Sequence, residues 1–167
     1  MLMKNLRKGI IGLFIAMLTI SITSCDETQV ADLLPSMKAT VDGEAWTSLF
    51  RLSTVTDSSI VITGTPTASQ TADKTIILTV FGTGEGTYQL GLGSLTADCA
   101  VAYKKTANAA DGEDNYYVAY EATIVITKLD TENKKLSGTF SAKLRSTGQL
   151  ADEIVISDGT FENLNYQ

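Results

Sequence analysis

The chain has 167 residues, with 13 Lys plus Arg against 19 Asp plus Glu and no histidine. The missing histidine excludes a Ser-His-Asp triad and any histidine-ligated metal within the chain. The acidic balance argues against nucleic acid as a partner, since that binding rests on cationic contacts to phosphate.

Residues 1–24 have the three parts of a secretory signal. Lys4, Arg7 and Lys8 make a positive start, and the run from Gly9 to Ile22 is almost entirely apolar or small. That run is short for a permanent span, which takes about 20 apolar residues. It ends in Ile22-Thr23-Ser24-Cys25, an aliphatic residue, two small ones and a thiol. The arrangement resembles the lipobox of bacterial lipoproteins, in which the cysteine sulfur receives a diacylglyceryl group and the signal is cut off ahead of it. The resemblance implies lipidation at Cys25. An uncleaved anchor with an incidental cysteine is the weaker reading, because the apolar run is short.

Removing the signal takes three cations and no acid, which leaves ten cationic side chains against 19 acidic ones, a net charge near −9. Lipid rather than surface charge must then hold the protein to a membrane, at about 0.8 kcal/mol per buried acyl methylene. The expected division is a signal peptide at 1–24, a tether at 25–36 and a single all-β domain at 37–167.

Met37 to Val41 alternates, Asp42-Gly43 supplies a tight turn, and Trp46 follows as a plug for one end of the core. Leu49 to Thr56 and Ser59 to Thr63 form the next pair, and Gly64 to Gln70 reads as a loop. The segment Lys74 to Phe81 is apolar on both faces, which predicts the central, most buried strand. Gly82 to Gly86 turns the chain, and it lacks the lysine and following helix of a phosphate loop. Tyr88, Leu90 and Leu92 then share a face, as do Cys99, Val101 and Tyr103. That placement makes Cys99 a buried small hydrophobe rather than a reactive thiol.

After a polar interruption at Lys104 to Asn115 comes a long strand, with Tyr116, Val118, Tyr120, Ala122, Ile124 and Ile126 expected on its inner face. The Asp130–Lys134 turn leads to a strictly alternating strand. Leu136, Gly138, Phe140, Ala142 and Leu144 face inward, and Ser137, Thr139, Ser141, Lys143 and Arg145 face outward. In the last element Ile156 and Phe161 have opposite parity, which predicts a bulge at Asp158-Gly159. Nine or ten short strands without an amphipathic helix indicate an all-β, antiparallel sandwich, with an open or closed barrel as the alternative. Gly86-Thr87-Tyr88, Gly138-Thr139-Phe140 and Gly159-Thr160-Phe161 repeat a Gly-Thr-aromatic element, each glycine expected to let its strand bend.

The lipobox, Lys38 to Trp46 (Lys-Ala-Thr-Val-Asp-Gly-Glu-Ala-Trp), the central Gly-Thr-Tyr, Leu136 to Phe140 (Leu-Ser-Gly-Thr-Phe) and Ile156 to Leu164 (Ile-Ser-Asp-Gly-Thr-Phe-Glu-Asn-Leu) together resemble small lipoproteins of Bacteroidota that share an all-β domain without assigned function. The resemblance implies a Gram-negative envelope and the outer membrane. Asp26-Glu27, directly behind the cysteine, is similar to the acidic surface-export signal of that phylum.

Chemistry is harder to find. Ser141 and Lys143 have the spacing of a Ser-Lys pair, but both belong to a wet face, where lysine keeps its proton. The acids are scattered over turns as ordinary solvation, and paired carboxylates remain only as an alternative. Asp111-Gly112-Glu113-Asp114-Asn115 offers oxygens to Ca²⁺ without the spacing of an EF-hand, so a solvated loop is the better reading. Parity turns Tyr117 outward, a single exposed ring. The expectation is therefore a lipid-anchored, non-catalytic binding or accessory module without a cofactor, its partner a glycan or an envelope protein. A small carboxylate-dependent hydrolase is the alternative. An exposed groove lined by Tyr117 or Trp46 would favour the former, and two facing buried carboxylates the latter.

Overall fold

The computed structural model describes residues 34–67, 73–91, 97–106, 115–148 and 152–167. Ten strands follow one another: β1 (Ser36–Val41), β2 (Glu44–Thr47), β3 (Phe50–Val55), β4 (Ile60–Thr65), β5 (Thr75–Val80), β6 (Gly86–Leu90), β7 (Cys99–Lys104), β8 (Tyr116–Asp130), β9 (Lys135–Ser146) and β10 (Glu153–Asn165). They form one antiparallel sheet in the order β2-β1-β10-β9-β8-β7-β5-β4-β3, with β6 beside β8. The chain is all-β and antiparallel, as expected. Of the two architectures weighed, the strands take the barrel-like one, a single sheet curled over its inner face into a half-barrel.

The curl brings distant strands together. A Cβ at Gly64 on β4 would lie 2.5 Å from Met37 Sδ and 2.8 Å from the Trp46 ring, so the β1–β2 hairpin packs directly on β4. Gln167 N–H donates to the Ser53 carbonyl and Val55 N–H donates to the Gln167 carbonyl, tying the chain after β10 to β3. Buried hydrophobic side chains from every strand except β3 and β6 form one core, with Val55 of β3 and Tyr88 and Leu90 of β6 partly buried against it.

Two left-handed residues, Asp42 and Gly43, close the β1–β2 hairpin, as an Asp-Gly two-residue turn requires. The Asp42 side chain accepts from Val155 N–H at 2.8 Å, and Asp42 N–H donates to the Val155 carbonyl. The turn is thereby pinned to the start of β10.

The β8–β9 hairpin follows the expected turn, with Ile124 opposite Phe140 and Ile126 opposite Gly138. Leu136, Gly138, Phe140, Ala142 and Leu144 all face the core. The expected inner face of β8 holds only from Ala122 onward. A bulge between Ala119 and Glu121 shifts the register, so Tyr117 and Ala119 point inward while Tyr116, Val118 and Tyr120 are exposed. One extra residue reverses the face of everything before it. Tyr120 therefore does not meet the core face of β9.

The strand read as central is β5, which lies between β7 and β4 near one end of the sheet order; β8 holds the middle. Phe81, just past β5, is exposed. Length explains β8's position. Its 15 residues pair β9 on one side, and on the other they pair β7 first and β6 afterward.

In β10 the register shifts between Ile156 and Gly159, with Asp158 left-handed, where the parity change predicted a bulge. A second shift follows before Leu164, at left-handed Asn163. Two of the Gly-Thr-aromatic glycines serve their neighbour rather than their own strand. Gly138 lies opposite Phe161, whose ring occupies the space a Cβ would need. Gly159 lies opposite Phe140, and a Cβ there would meet the Phe140 carbonyl at 2.5 Å and its ring at 2.7 Å. The two rings stack with centroids 6.3 Å apart. Each strand thus gives up a side chain where the other inserts a ring.

Candidate functional site

Leaving the Asp42-Gly43 turn, β2 runs back along β1 and carries Trp46 inward, where its Nε1–H donates to the Lys74 carbonyl at 2.7 Å. Lys74 is left-handed, and its N–H donates to the Lys105 carbonyl at 3.0 Å. These bonds hold the β1–β2 turn over the beginning of β5 and the end of β7. A cleft of about 460 Å³ lies between them. Val41, Trp46, Pro66 and Ile154 give it an apolar wall, while Asp42, Glu44, Lys74 and Lys105 line it with two acids and two cations. Its size and composition suit a small ligand or a single side chain of a partner.

Tyr103 also lines the cleft. Burial, reinforced by the negative charges of Asp42 and Asp73, pushes its phenol up to about 12. Tyr103 is therefore a hydrogen-bonding group that stays neutral throughout the physiological range. Its ring packs 6.2 Å from that of Tyr117, and the Lys105 ammonium lies 5.8 Å from the Tyr117 centroid.

Tyr117 is buried, and its hydroxyl donates to Asp152 Oδ2 at 2.7 Å. The ring expected to be the exposed one is therefore a core residue, and Tyr116 and Tyr120 take the outside. Both carry a cation, with Lys104 5.7 Å from the Tyr116 centroid and Arg145 4.3 Å from that of Tyr120. Arg145 also pairs with Glu153 at 2.9 Å across the sheet, and Lys143 pairs with Glu121 at 3.0 Å.

The second pair decides the Ser-Lys candidate. Ser141 and Lys143 are exposed, and the hydrogen bond and charge of Glu121 raise the Lys143 pKa. A lysine acting as a base needs the opposite shift. Cys99 is buried with its thiol pKa raised, first by desolvation and then by Asp98, as suits a packed small hydrophobe. Among the described residues no carboxylate is buried, and no group of three or more acids or thiols gathers as a metal would need.

Residues 111–114 of the loop considered for Ca²⁺ lie outside the described residues. Asn115, which closes it, is buried, and its side-chain oxygen accepts from Thr106 N–H and Oγ1–H. Cys25 and the signal segment also lie outside the described residues.

Residues 34–165, from just before β1 to the end of β10, match a family described as a domain of unknown function (DUF6252). The chain belongs to this family. The match spans both limbs of the half-barrel and every residue lining the cleft, so the cleft is part of the DUF6252 domain itself. No curated protein and no solved structure matches the chain.

Proposed function

We propose that this DUF6252 protein is a lipid-anchored lipoprotein of a Bacteroidota outer membrane, held by acyl chains on Cys25, whose β domain is a non-catalytic binding or accessory module. The anchor rests on Ile22-Thr23-Ser24-Cys25 placed directly after a secretory signal. The binding role rests on the cleft under the Asp42-Gly43 turn. It combines an apolar wall, balanced exposed charges and a neutral phenol, which favours recognition over proton transfer. Its two acids, Asp42 and Glu44, are both exposed at the rim rather than facing each other in a buried site. A glycan fragment or a segment of an envelope protein suits this mixture of apolar, donor and acceptor groups.

Trp46 is the single tryptophan and lines the cleft, so its emission reports occupancy. The soluble fragment from residue 26 onward should show a saturable change in Trp46 emission with at least one member of a panel of envelope and host oligosaccharides or peptides. Asp42→Ala with Lys74→Ala should weaken that response. Turnover of a bound oligosaccharide into shorter products would overturn the non-catalytic reading and bring forward the carboxylate hydrolase.

A further inference from the structure

The cleft and the point where the chain joins the β domain lie at opposite ends of β1 and β10. Ser36 and its partner Glu162 mark one end, and Val41 and Ile156 the other. Ser36 to Val41 is six residues, about 20 Å at roughly 3.3 Å per residue.

The joining end is apolar and open. Leu34 and Leu49 are 61% and 68% exposed, more than any other described large hydrophobe. Ser48 N–H donates to the Met37 carbonyl, which brings the corner after β2 alongside the start of β1. Pro35, Leu49 and Phe50 there line a shallow groove with Arg51, Leu164 and Asn165. The charges nearby have both signs, Arg51 and Lys135 (opposite Asn165) against Glu162.

Only residues 26–33 separate Cys25 from Leu34. Fully extended, that length reaches no farther than about 32 Å. Acyl chains on Cys25 therefore keep the Leu34–Leu49 end within one tether length of the bilayer, and contact of that end with lipid would turn the cleft end away. Exposed leucines brought to a membrane gain from entering its interface, and the mixed charges do not add a strong electrostatic attraction.

We propose that the Leu34–Leu49 end docks on the outer-membrane bilayer, with Leu49 at the lipid interface and the cleft turned away from lipid. This orientation rests on the lipid-anchor reading. The full chain, processed in a Gram-negative host, would be reconstituted into phosphatidylethanolamine–phosphatidylcholine vesicles containing nitroxide-labelled lipid. Environment-sensitive fluorophores would be placed on Leu49→Cys or Glu44→Cys in a Cys99→Ser background. The fluorophore at 49 should shift to shorter wavelength and be quenched several-fold more strongly than the one at 44, with little dependence on salt. Leu34→Cys serves as the second probe if Leu49→Cys does not fold. Equal quenching at both positions on vesicle-bound protein overturns the orientation while leaving the anchor intact. A short-wavelength signal at 49 without lipid overturns it in favour of a second copy or another protein. An unmodified Cys25 peptide by mass spectrometry, with protein that does not float with vesicles, overturns the anchor and the orientation together.

Discussion

Phe140 is the most informative residue to remove. It is buried, stacks on Phe161, and fills the space left by Gly159 on β10. Phe140→Ala empties an aromatic core position whose ceiling is the backbone of the neighbouring strand, so collapse into the cavity is restricted. The expected cost is about 3–5 kcal/mol, a large part of the roughly 5–15 kcal/mol that holds a domain folded. Thr139→Ala, one residue away on the exposed face, should cost no more than about 0.5 kcal/mol. Gly159→Ala adds the other half of the cycle. In the wild-type background its methyl meets the Phe140 ring and carbonyl, an overpacking cost of about 1–3 kcal/mol. Removing the ring relieves part of that clash and leaves the carbonyl, so the double variant should fall short of additivity by about 0.5–3 kcal/mol. Urea melts of the soluble domain read the wild type and all four variants, with a constant m-value showing that stability alone has changed. If Thr139→Ala is as damaging as Phe140→Ala, the facing of β9 is wrong. If the cycle is additive, the Gly159–Phe140 contact does not carry the packing assigned to it.

Tyr117→Phe removes the hydroxyl bonded to Asp152 and should lower stability by about 1.5–3 kcal/mol in the same melts, whereas Tyr116→Phe on the exposed face should be near neutral. Tyr103 holds its proton to about 12 in the fold, whereas an unfolded tyrosine releases it near 10. Its contribution is therefore complete below pH 10 and is lost as pH rises through about 12. Tyr103→Phe should flatten stability against pH in that window, as read by denaturant melts. Cys25→Ser should leave the signal attached and the protein unlipidated, and intact mass of the membrane fraction checks both.

Strand β9 was legible because its apolar residues occupy every second position without interruption, from Leu136 to Leu144. The parity conflict between Ile156 and Phe161 located the β10 bulge for the same reason, since a strand cannot bury both without an extra residue. Strand β8 defeated this reasoning. From Tyr116 to Tyr120 both parities are apolar, so either face suits the core, and the bulge before Glu121 alone chooses Tyr117 and Ala119. The prominence of β5 was misleading too. Its continuous apolar run describes how buried the strand is, and sheet order is set by partners far along the chain. The cleft was illegible because its walls come from residues near positions 41–47, 66, 74, 103–105 and 154, which only the curl of the sheet brings together. Trp46 was the one signal for it, as an isolated large aromatic beside a turn.

The pairing of β1 with β10 also governs when the molecule can assemble. The first strand has one edge on β2 and needs the last for its other, and Gln167 supplies the bonds that tie β3 to the opposite limb. A partly emerged chain can form the β1–β2 hairpin and the β3–β4–β5 meander, but β1 keeps an open hydrogen-bonding edge until β10 appears, and β3 lacks its two bonds to Gln167 until the chain is complete. Closing such distant pairs is slow, because a long loop is fixed before its contacts are made. During that interval the uncovered edges of β1 and β3 are templates for pairing with another chain. Truncation within β10 should consequently yield an aggregating product rather than a smaller folded domain, and the rate of assembly should be set by the arrival of the C-terminal strand.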